Sequence, residues 1–116
     1  MFNIDPERFL ALAESAYARI PAELTALLDN VALFVEDDPP AHSPGLLGLY
    51  VGTPLTERDT SYAGAMPDRI MVYRNPILSI CETEDDVVRE VAITVAHEIA
   101  HHFGIDDDRL HELGYA

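Results

Sequence analysis

Lysine is absent from this sequence, and its seven basic residues (Arg8, Arg19, Arg58, Arg69, Arg74, Arg89 and Arg109) stand singly along the chain. Recruiting nucleic-acid phosphates needs a clustered basic stripe. With 21 Asp and Glu, the formal net charge is -14, which argues against a nucleic-acid partner. Cysteine is almost missing too: Cys81 stands alone, so no intrachain disulfide can form and no thiolate cluster can hold a metal. Nothing therefore requires an oxidising compartment. No apolar run approaches the ~20 residues of a membrane span. Residues 1–8 also lack the basic segment and apolar stretch of a signal peptide. These absences predict a soluble, cytoplasmic protein with no membrane partner.

What remains is the make-up of one globular unit. At 116 residues, 48% apolar and 24% charged, the chain predicts a single domain over residues 1–116. Its carboxylates raise the local concentration of cations, though solubility is their plainer consequence. The apolar content allows a homodimer, with no feature marking the surface.

Along the chain, Asp5 and Pro6 read as a helix N-cap and first helical position, with Ile4 and Phe9 spaced as a hydrophobic staple. Phe9, Leu12, Ala13, Ala16 and Ile20 continue at helical spacing. Pro21 starts a shorter helix carrying Leu24, Leu27 and Leu28, which Asp29 and Asn30 end. The apolar run Val31 to Val35 predicts a strand buried on both faces. Leu47 to Val51 predicts a second strand, where Gly48 and Gly52 leave room for bulging or close backbone approach. Residues 53–68 read as a long loop. Ile70 to Tyr73 predicts a third strand, and Asn75 and Pro76 a short helical turn.

The last long helix begins at Thr83, whose hydroxyl can cap it while Glu84, Asp85 and Asp86 complement its dipole. Gly104 is placed as its C-terminal cap. This helix is apolar nearly all round. At ~100° per residue its polar exceptions Glu90, Thr94, His97 and His101 share one narrow strip, with Glu98 beside it.

That strip carries the chemistry. Histidines four apart on a helix can reach one metal ion, and Glu98 is placed to take a proton from a metal-bound water. Gly104 permits a positive-φ exit that turns the following residues back. From His97 to Asp107 the chain reads H-E-x-x-H-x-x-G-x-x-D, in which Asp107 stands where a third ligand is expected. A distant glutamate ligand is disfavoured because only 15 residues follow His101. Asp106, Asp108 and His111 are rivals that spacing alone does not separate, with Asp106 expected to cap the next helix. His111 could instead orient Asp107. His102 points about 140° from His97 and reads as a packed or partly exposed histidine rather than a ligand.

The tail from Thr94 to Tyr115 resembles the small bacterial zincin-like metallopeptidase family, the minimal zincins. The segments from Leu49 to Arg58 and from Pro67 to Arg74 are similar to others of that family. The resemblance implies an α+β fold with about three strands in a small mixed sheet, packed with an N-terminal helix and the long active-site helix. It also implies zinc held by His97, His101 and Asp107, and a peptidase activity. Larger metzincins carry a methionine turn after the motif, whereas Met1, Met66 and Met71 all precede it here. Tyr115 is the candidate replacement, by folding under the ligands or by offering its hydroxyl to the reacting group.

The mechanism expected is hydrolysis of a peptide or protein substrate, with Glu98 as general base and Tyr115 as a second catalytic candidate. The alternative is a non-catalytic zinc-binding or protein-interaction module retaining the site. An intact Glu98 weighs against it, because a structural site has no need of a base. Two histidines and a carboxylate also make a facial iron triad, but a glutamate beside the first histidine fits zinc hydrolysis better.

Overall fold

The computed structural model describes residues 2–52 and 67–115. Among the described residues five helices and three strands make an α+β fold. No described helix is long and apolar enough to cross a membrane. The loop predicted over residues 53–68 falls largely outside the described residues, as do Arg58 and Met66.

Helix α1 (Pro6–Ala18) starts where the sequence signals it: the Asp5 carboxylate accepts the Arg8 N–H at 2.9 Å and Pro6 occupies the first turn. Its stripe of Phe9, Leu12, Ala13 and Ala16 is buried. Helix α2 (Ala22–Thr25) is one turn only, shorter than the Leu24 to Leu28 pattern predicts. Leu24 is buried while Leu27 stays 39% exposed, and Asn30 turns the chain with φ 54°.

Strands β1 (Val31–Glu36), β2 (Gly48–Val51) and β3 (Asp68–Tyr73) form a sheet of order β1-β3-β2. β1 runs parallel to β3 and β2 antiparallel to it. β1 is not buried on both faces as predicted. Val31, Leu33 and Val35 pack against the core, whereas Phe34 is 43% exposed. The register explains this: Phe34, Met71 and Leu49 lie side by side on the outer face, and Leu33, Ile70 and Tyr50 on the inner one. β1 also lies at the sheet's edge, so its apolar run serves one covered face only.

Helix α3 (Arg74–Ser79) buries Ile77 and Leu78. At its first residue, the Arg74 guanidinium donates to Asp37 Oδ1 at 2.8 Å and to the Ile4 carbonyl at 2.7 Å, tying the N-terminal segment to the end of β1. Helix α4 (Glu84–Phe103) opens with a complete capping box, since Thr83 Oγ1 accepts the Asp86 N–H and Asp86 accepts the Thr83 N–H. Its buried positions Val87, Val91, Val95 and Ile99 meet Phe9, Leu24, Ile70 and Ile77 in one core. Burying each such side chain contributes about 1.5–3 kcal/mol. α4 ends at Gly104, whose φ of 71° is the left-handed conformation open to glycine. Helix α5 (Asp107–Glu112) follows, pinned by buried Leu110.

Candidate active site

α4 presents its polar strip to a cleft of about 370 Å³. Glu90, Ile93, Thr94, His97, Glu98 and His101 line one wall, and residues 45–48 with the start of β2 line the other. The strip read from helical spacing is thus the wall of a cavity. His97 and Glu98 are half-buried and His101 is exposed. The His97 and His101 rings meet edge to face with centroids 6.0 Å apart.

β2 approaches α4 closely because of Gly48. A side chain there would point inward, and its Cβ would lie 2.7 Å from Thr94 Cγ2 and 2.8 Å from the Met71 carbonyl oxygen. That close approach lets the Tyr50 N–H donate to Glu98 Oε1 at 3.0 Å. The Tyr50 ring stacks on His102 with centroids 3.8 Å apart, and its hydroxyl donates to Asp68 Oδ2 at 2.6 Å. His102 is therefore an exposed stacking partner on the face beside the cleft. Sequence reasoning missed Tyr50; the one local signal was the glycine at position 48, flagged for close backbone approach.

Tyr115 folds back onto the site with its backbone. Its carbonyl oxygen lies 2.7 Å from His97 Nε2, while its hydroxyl donates to the Arg19 carbonyl at 3.0 Å. A carbonyl only accepts, so Nε2 carries the proton in this contact and the neutral ring's lone pair sits on Nδ1.

The expected third donor stands on α5. Asp106 caps α5, its carboxylate accepting the Arg109 N–H at 2.9 Å, as the sequence predicts. Asp107, the first residue of that helix, is exposed, as are Asp108 and His111. Among the described residues no three His, Cys, Asp or Glu side chains come close enough together to hold a metal ion. The chemistry of His97 and His101 suits zinc, for which imidazole is a common ligand. The arrangement brings together His97 and His101, while Asp107 stands at the exposed start of α5.

A family described as zincin-like metallopeptidase matches residues 28–115. Among solved structures, the chain is similar to a conserved hypothetical protein from Thermo thermophilus. Identity is 26% and the TM-score 0.56, over 86% of this chain and 94% of that one. Among curated proteins, none matches. With the H-E-x-x-H motif of α4 lining the cleft, and the family match running from Leu28, ahead of β1, to Tyr115, the chain belongs to the zincin-like metallopeptidase family.

Proposed function

We propose that the protein is a zinc-dependent peptidase in which His97, His101 and Asp107 hold the metal and Glu98 is the general base. The observation that carries this reading is the shared cleft of His97, Glu98 and His101 beside β2, an edge strand among the described residues. Bound zinc would supply a water of lowered pKa and an electrophile for the carbonyl. Glu98 would take a proton from the attacking water and return one to the leaving amine. The outer edge of β2 aligns an extended peptide by strand addition, and the cleft along residues 45–48 receives it. Asp107 would complete the donor set from α5, which the exposed turn at Gly104 separates from α4. The Tyr115 carbonyl holds His97 by accepting from its Nε2.

The test is zinc content and peptide-library cleavage of wild type, Glu98→Gln and Asp107→Ala. Glu98→Gln is expected to keep its zinc and lose cleavage. Full cleavage by Glu98→Gln at unchanged zinc content would sink the mechanism. Stoichiometric zinc without cleavage of any peptide by wild type would favour a binding module in place of an enzyme.

A further inference from the structure

The general base of the proposed reaction is tied to the strand on which the peptide would dock, and the strand's hydrogen-bond parity sets that tie on the side away from β3. The Tyr73 N–H donates to the Leu47 carbonyl at 2.9 Å, so the main-chain polar groups of Leu47 face β3. Alternation along an antiparallel ladder then turns those of Leu49 and Val51 toward β3 as well. The N–H groups of Gly48 and Tyr50 point the other way, to the edge that an added strand would pair with. Glu98 Oε1 takes the Tyr50 N–H on that edge.

We propose that the Tyr50 N–H is a latch on Glu98, opened when an extended peptide takes that N–H for its own carbonyl. This rests on the peptidase reading and adds a condition to it: the base is released only where substrate lies on the strand. The exchange breaks one hydrogen bond, from Tyr50 N–H to Glu98 Oε1, and forms one, from Tyr50 N–H to a peptide carbonyl oxygen. No proton moves. Glu98 is left with both oxygens free beside His97 and His101.

Three features support the exchange. The cleft reaches the edge at Gly48, two residues before Tyr50, so a peptide seated there and continuing along the strand arrives at the latched N–H. Tyr50 keeps its place when Glu98 leaves, because its ring remains stacked on His102 and its hydroxyl bonded to Asp68. A carboxylate on an N–H of the β2 edge also blocks unwanted strand pairing, which gives the closed state a use in the absence of substrate.

The experiment uses the metal-free full chain, so that it reads docking without chemistry. The probe is a capped, uncharged hexapeptide of alternating alanine and threonine, titrated into ¹⁵N-labelled wild type, Glu98→Ala and Glu98→Gln. In wild type the amide resonances of both Gly48 and Tyr50 are expected to move along one binding curve. Glu98→Ala removes the competitor and should tighten binding about two- to tenfold, the worth of one hydrogen bond. Glu98→Gln keeps an acceptor without the charge and should stay nearer wild type. Equal tightening in Gln and Ala would assign the effect to charge and overturn the latch. A peptide that shifts Gly48 but leaves Tyr50 and the affinity of Glu98→Ala unaltered would overturn the latch while leaving strand docking intact. No shift anywhere on β2 would overturn both. The wild-type titration needs no variant to fold.

Discussion

The carbonyl oxygen of Tyr115 accepts from His97 Nε2 at 2.7 Å, closing the chain back onto the first histidine of the motif across 18 residues. The same residue's hydroxyl reaches the Arg19 carbonyl after α1, so Tyr115 bridges the site and the first helix. Tyr115→Phe removes only the hydroxyl bond and is expected to lower stability by about 0.5–1.5 kcal/mol. Urea denaturation measures it, and an unchanged midpoint would mean that the Arg19 contact contributes nothing.

Gly48 sets the distance between β2 and α4. Gly48→Ala places a methyl against Thr94 and the Met71 carbonyl, and overpacking of this kind costs about 1–3 kcal/mol. Thr94→Ser in the same chain removes the Cγ2 contact but leaves the carbonyl, so it should recover only part of the loss. Complete recovery in thermal melts would show that the backbone contact yields freely.

Adjacent aspartates should separate by phenotype. Asp106→Ala removes the cap on α5 and is expected to cost about 1 kcal/mol of stability, with zinc affinity little changed. Asp107→Ala, exposed and without a capping bond, should stay within about 0.5 kcal/mol of wild type yet lose most bound zinc. Calorimetric zinc titration beside denaturant melts reads both. Zinc loss in Asp106→Ala alone would reverse the assignment.

Burial pushes the Cys81 thiol up to about 11 from 9.0, with Glu90 and Asp86 adding to the rise. The raised value means that the folded protein holds the proton, so this group favours folding below the unfolded pKa and loses that effect as pH rises through about 11. Alkylation by iodoacetamide near neutral to mildly alkaline pH should run about a hundredfold slower in native than in unfolded chain, the consequence of a two-unit difference in thiolate population. Mass spectrometry follows it, and equal rates would place the thiol in water.

Acid should loosen the links between helices. Arg109 holds the Glu23 carboxyl below its usual range, joining α5 to α2, and Arg8 does the same to Glu84, joining α1 to α4. Depressed folded-state values stabilise above the ordinary carboxylate pKa, and the contribution is lost as pH falls through the folded one. The melting temperature is therefore expected to drop below about pH 4.5, less steeply in Arg109→Met and in high salt, since these pairs are exposed. Identical acid profiles for wild type and Arg109→Met would assign the drop to other carboxylates.

Local signals were readable wherever their cause is local. Asp5, Thr83 and Asp106 cap helices by bonds to residues three positions on. The strip from Glu90 to His101 follows from helical geometry, and Gly104 from the left-handed turn only glycine adopts cheaply. β1 misled because an apolar run reports hydrophobicity without saying how many faces will be covered, and strand order is not a local property. α2 fell short because Leu27 found no core to bury against.

By itself the sequence determined the long helices α1 and α4, their caps and the face on which His97, Glu98 and His101 stand together, since each depends on spacing within a few residues. Only the tertiary structure decided that Tyr50 holds Glu98 across 48 residues and that the Tyr115 carbonyl meets His97. Those contacts arise from sheet register and chain return, where main-chain groups of any residue type serve equally and leave no mark in the order of side chains.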